Sequence, residues 1–143
     1  MENETPDMRM NTLLQLLVEV YHCHRYSVVG HFESPISVMD KIKKAKVYIN
    51  CNYQRPITID DLAYHVGMNR TSLCIAFKKA TKRTIIGYLT DLRIRVAKYL
   101  LKNENGTIAD CCYKSGFNDV PHFNRIFKKR LGVSPSQYRS RIR

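Results

Sequence analysis

A chain of 143 residues, with 24 Lys/Arg against 12 Asp/Glu and a formal net charge of +12, has room for one ordinary domain and an appendage. No apolar run reaches the ~20 residues needed to span a bilayer, and no stretch has the form of a signal peptide. The charge sits in one half: residues 1–69 hold 7 basic and 8 acidic side chains while residues 70–143 hold 17 and 4, which points to a polyanion-binding face.

The first 34 residues carry one pattern. Leu13, Leu16, Leu17 and Val20 recur at three- and four-residue spacing, so an amphipathic helix is expected from Met8 to about His24. Its apolar stripe needs the rest of the domain, a second copy of the chain or further chain to cover it, and a homodimer through this helix is one expectation. His22-Cys23-His24 does not make a metal site, because residues i and i+2 diverge on a straight helix. The five cysteines are odd in number and lack a Cys-x-x-Cys spacing, so free thiols in a reducing cytoplasm are expected. Ser34-Pro35 marks the next helix start. On that helix Met39, Ile42, Ala45 and Ile49 line one side, and Lys41, Lys43, Lys44 and Lys46 occupy the rest.

Gln54-Arg55-Pro56 breaks the chain before a Thr-x-x-Asp cap at Thr58 and Asp61. Gly67 suits a left-handed turn. A second helix is expected from Arg70 to Thr81, with Leu73 and Phe77 as core. From Tyr88 to Lys102 the apolar residues Leu89, Leu92, Val96, Tyr99 and Leu100 give one long amphipathic helix. Thr107 and Asp110 then form another cap and Gly116 another turn. Asn118 or Asp119 can cap the next helix, and Pro121 stands near its start. Phe123 and Phe127 share its inner face. Cys111 and Cys112 fall inside a helix, where cysteine behaves as a small apolar packer.

The two halves repeat. An offset of 49 matches Thr58, Ile59, Asp61, Tyr64, Gly67 and Asn69 with Thr107, Ile108, Asp110, Tyr113, Gly116 and Asn118. After one extra residue, an offset of 50 matches Phe77, Lys78, Lys79 and Tyr88 with Phe127, Lys128, Lys129 and Tyr138. Each copy is a short helix, a glycine turn and a second helix with a polar outer face, the helix-turn-helix pattern whose second helix enters the DNA major groove.

Two such units joined by a long helix resemble the DNA-binding domain of the AraC/XylS family of bacterial transcription regulators. The resemblance rests on Ile108-Ala109, Gly116-Phe117, Phe123, Arg125, Phe127-Lys128, Gly132, Ser134-Pro135 and Tyr138-Arg139, and on Tyr88-Leu89, Arg93, Ala97 and Leu100-Leu101 in the linker. It implies an all-α fold in which residues 35–143 form the DNA-binding domain, with units at 58–81 and 107–130, a linker helix at 85–102 and a terminal helix at 134–142. Residues 1–34 are then an N-terminal helical extension, a remnant of an upstream effector and dimerisation domain. The implied function is sequence-specific regulation of transcription, as an activator with double-stranded DNA and RNA polymerase as partners, and with no cofactor, metal or catalytic site.

In the first unit the base-contacting candidates are Arg70, Thr71, Cys74 and Ile75. The family often places an Arg where Ile75 stands, so this helix is expected to read thymine methyls or to sit mainly on phosphates. In the second unit the resemblance implies Pro121, His122, Asn124 and Arg125, with Asn124 able to pair with adenine and Arg125 able to fork onto guanine, or instead to clamp a phosphate or a carboxylate of the chain itself. Lys78, Lys79, Lys82, Arg83, Asn118, Lys128, Lys129 and Arg130 are the phosphate-contacting candidates, which set affinity and salt dependence. Arg139, Arg141 and Arg143 form a cationic tail. A linker of about fifteen residues spans roughly 22 Å, and with the units at its ends can hold two recognition helices ~34 Å apart, one DNA turn. The alternative function is low-specificity DNA binding through phosphates alone.

Overall fold

The computed structural model describes residues 37–142, which form seven helices and no strand. They are α1 Val38–Asn52, α2 Ile59–Val66, α3 Arg70–Thr81, α4 Ile85–Asn103, α5 Ile108–Lys114, α6 Val120–Leu131 and α7 Pro135–Ile142. The fold is all-α, as expected. The helix expected between Met8 and His24, the His22-Cys23-His24 stretch and the dimer assigned to it lie outside the described residues, as does Arg143.

Local chemistry explains most helix ends. Thr58, Asn69, Thr84, Thr107 and Asp119 each accept the backbone N–H three residues on, satisfying donors that the first turn leaves free. At Thr107 the box is complete, because the Asp110 carboxylate accepts the Thr107 N–H at 2.7 Å in return. Of the two candidates for α6 the cap is Asp119, so the extra residue of the second copy falls before the cap. The first helix begins later than Ser34-Pro35 suggests: its cap is Ser37, which accepts from the Asp40 N–H and donates to its carboxylate. Core contact starts at Ile42. Met39, expected on the inner face, lies in the first turn and is exposed.

The residues divide into two cores. Ile42, Ala45 and Ile49 of α1 pack with α2, with Leu73 and Phe77 of α3, and with Ile85, Leu89 and Leu92 of α4. Ile94, Ala97, Leu100 and Leu101 of α4 pack with Cys111, Cys112, Phe117, Phe123 and Phe127. Phe77, Phe123 and Phe127 are fully buried, and each contributes about 1.5–3 kcal/mol by leaving water. The linker helix therefore buries two stripes. At 3.6 residues per turn, Leu89 and Leu92 lie nearly opposite Ile94 and Leu101. That corrects the single stripe expected through Tyr99, whose side chain is half exposed.

A junction ties the units together. Arg93 of α4 donates to the carbonyls of Tyr53 (2.7 Å) and Arg55 (2.9 Å), and Gln54 Nε2 donates to the Lys114 carbonyl at 3.0 Å. Gly116 sits against this loop at φ +90°. A Cβ there would lie 2.5 Å from the Tyr53 carbonyl oxygen and 2.9 Å from Arg93 Nε.

Candidate nucleic-acid interface

Each unit is built in the same way. In the first, α2 ends at Gly67 with φ +64°, and α3 starts two residues later behind its Asn69 cap. In the second, α5 ends at Ser115, Gly116 takes the left-handed turn, and α6 starts behind Asp119. Leu73 and Phe77 turn α3 onto its core, and Phe123 and Phe127 do the same for α6. The opposite faces are left to water.

On α6, Pro121, His122, Asn124 and Arg125 are all exposed. Arg125 forms no ion pair among the described residues, so its guanidinium is free to meet a base edge or a phosphate. On α3, Arg70, Thr71 and Ile75 are exposed, but Cys74 is half-buried and packs on the first core. Arg70 Nη1 lies 2.6 Å from Asp60 of α2. At the offset of 50, Cys74-Ile75 stand where α6 has Asn124-Arg125. The second unit thus presents two hydrogen-bonding side chains where the first presents one apolar side chain and one turned inward.

The cations are not all alike. Lys78, Lys79, Lys82, Lys128 and Lys129 are exposed and have no carboxylate partner among the described residues, and Asn118, before the start of α6, is also exposed. Arg83 and Arg130, expected as phosphate contacts, both pair with Asp91 of α4. Arg139, expected in the cationic tail, is half-buried and donates to Cys111 Sγ at 3.2 Å. Arg141 is exposed. Sequence reasoning missed Asp60 and Asp91, because an acidic residue on a basic chain gives no local sign of the arginine it will meet.

The cysteines also differ. Cys74, Cys111 and Cys112 are free thiols, as expected. Burial pushes the Cys111 and Cys112 thiols up, with Arg139 opposing it at Cys111 and Asp119 adding to it at Cys112. A raised pKa leaves little thiolate near neutral pH. In the folded protein Cys74 is therefore expected to alkylate with a maleimide at least tenfold faster than Cys111 or Cys112. Peptide mapping of timed samples measures this, and comparable rates would mean the second unit opens readily.

No group of three or more His, Cys, Asp or Glu among the described residues could hold a metal ion, and no described helix is long and apolar enough to cross a membrane.

Known proteins share this arrangement. A family described as a helix-turn-helix domain matches residues 62–141. An uncharacterized HTH-type transcriptional regulator in the cgkA 5′ region of Pseudoalteromonas carrageenovora is 36% identical over 98 residues, covering 68% of this chain and 58% of that protein. The lactose operon transcription activator of Staphylococcus xylosus is 35% identical over 128 residues, covering 89% of this chain and 46% of that protein. This chain therefore spans about half the length of these relatives. The crystal structure of a transcriptional regulator with an AraC-type DNA-binding domain from Chromobacterium violaceum superimposes with a TM-score of 0.68 at 27% identity, over 73% of this chain and 93% of that one. The matched residues take in both turns, the linker helix and both candidate readers: the chain belongs to the AraC-type helix-turn-helix family.

Proposed function

We propose that this chain is a DNA-binding regulator of transcription, acting as an activator, that places α3 and α6 in successive major-groove segments of double-stranded DNA. The observation that carries the reading is the pairing of two helix-turn-helix units with an α6 whose Asn124 and Arg125 are exposed. Those two residue types pair with adenine and guanine edges, and two units on one linker suit two blocks on one face of the duplex. The free lysines at the ends of both readers, Lys78, Lys79, Lys128 and Lys129, supply phosphate contacts that hold the register. The lactose operon activator of Staphylococcus xylosus supports an activating role, which brings RNA polymerase in as a second partner.

A second reading is favoured by one observation. Ile75 is 65% exposed and Cys74 leans on the core, so α3 offers no strong hydrogen-bonding pair to a base. On that reading the chain binds DNA with low specificity, mainly through phosphates.

Selection from a randomised duplex library with the intact chain at fixed salt separates the two. The first reading expects an asymmetric motif of two blocks about one helical turn, ~34 Å, apart. It is abandoned if salt-sensitive binding persists while no motif emerges from the sequenced survivors.

A further inference from the structure

Asp91 occupies a position that the DNA-reading surface does not account for. It stands on α4 between Leu89, which belongs to the first core, and Ile94, which belongs to the second. Its carboxylate meets one arginine from each of the two units. Oδ2 accepts from Arg83 Nη1, and Oδ1 lies 3.3 Å from Arg130 Nη2. Arg83 belongs to the turn after α3, where its backbone N–H donates to the Thr81 hydroxyl and its carbonyl accepts from it. Arg130 lies in the last turn of α6. The Asp91 side chain is 19% exposed against 66% for Asp60, while Arg83 and Arg130 are themselves 57% and 45% exposed, so the shielding lies on the carboxylate's side of the bridge. A carboxylate withdrawn from water in this way is screened by salt less than one on the open surface, and two cations share it.

The bridge has no repeat counterpart. At the offset of 50, Arg83 corresponds to Val133 and Arg130 to Ala80. It belongs to the junction between the units and not to either unit's own fold. The turn that ends one reader and the last turn of the other are both drawn to one carboxylate on the helix that joins them.

We propose that Asp91 is a positioning residue that fixes the angle between α3 and α6, and so determines which spacing between two DNA blocks the chain accepts. The proposal rests on the two-reader function given above. It also assigns Arg83 and Arg130 to holding the protein's shape, leaving the phosphates to the free lysines. With both arginines held, the readers present one spacing, and a duplex with a longer or shorter spacer must twist or bend to meet both. With the bridge gone, the protein can yield in place of the DNA.

The test measures affinity for a series of duplexes carrying the selected two-block motif, with the central spacer lengthened or shortened by one and two base pairs. The intact chain, Asp91→Asn and the double variant Arg83→Gln/Arg130→Gln are compared at one salt concentration. The intact chain is expected to lose at least tenfold in affinity per altered base pair. Asp91→Asn and the double variant are both expected to compress that loss to about threefold or less while selecting the same two blocks. A merely structural role would lower affinity evenly across the series, and so would loss of phosphate contacts by the arginines. Either even loss overturns the inference, as does an Asp91→Asn chain with unchanged spacing preference. If the intact chain selects no two-block motif, the two-reader function fails and this inference falls with it.

Discussion

Gly116→Ala is expected to destabilise the domain by about 3 kcal/mol, because it combines a left-handed backbone cost of ~1–2 kcal/mol with an overpacking cost of ~1–3 kcal/mol. The backbone stands at φ +90°, and the added carbon would come within 2.5 Å of the Tyr53 carbonyl oxygen, itself held by Arg93. A backbone oxygen cannot step aside as the end of a flexible side chain can. The loop from Tyr53 to Arg55 would have to withdraw, loosening both Arg93 hydrogen bonds and the Gln54–Lys114 contact. Against a typical total of 5–15 kcal/mol, a loss of this size is expected to lower Tm by on the order of 15 °C. Gly67→Ala supplies the control. Gly67 has φ +64° but nothing within 4 Å of its would-be Cβ, so only the backbone cost of about 1–2 kcal/mol applies. Urea denaturation of both variants decides the matter: equal losses would mean that the close approach at Gly116 contributes nothing.

Arg125→Ala carries the largest expected effect on binding. A bidentate arginine–guanine pair discriminates by about 1–3 kcal/mol, so affinity for the selected duplex should fall roughly 5- to 150-fold. The loss should be confined to that duplex, leaving scrambled DNA bound nearly as before. One block of the selected motif should also lose its preference for a single base. Lys128→Ala, one turn further along α6, should behave differently. It should weaken cognate and scrambled DNA alike and lower the slope of log K against log salt by about 1. The contrast is read by titrating both variants on both duplexes at several salt concentrations. If Arg125→Ala weakens both duplexes equally, its guanidinium serves a phosphate, and the second unit reads sequence by other side chains.

The first and second units were unequally legible. The Thr107–Asp110 box, the turn at Gly116 and the inner faces of α3 and α6 follow from residues three or four apart, and the structure has them where the spacing puts them. The linker was harder to read. Its apolar residues serve two cores in turn, so a single stripe fitted through Tyr99 mixed members of both cores and left out Ile94, Ala97 and Leu101. Gly116 was legible as a turn residue, but its contact with Tyr53 was not, because 63 positions separate the two residues. Among the candidate site residues, exposure on α6 followed from the burial of Phe123 and Phe127 one face away. The inward lean of Cys74 did not, because a small thiol suits either surface or core.

The sequence by itself determined the order of the described helices, the Thr58 and Thr107 caps, the repeat and the confinement of positive charge to one half, since these depend on neighbours within a turn or on composition. Only the tertiary structure decided which cations are free. Arg70, Arg83 and Arg130 look alike in the chain to Lys78 and Lys128, but the first three meet Asp60 or Asp91 after folding and the lysines do not. Charge is a property of a residue. Whether that charge is available to a phosphate depends on what the fold brings within about 4 Å of it, where the Coulomb term is large enough to compete.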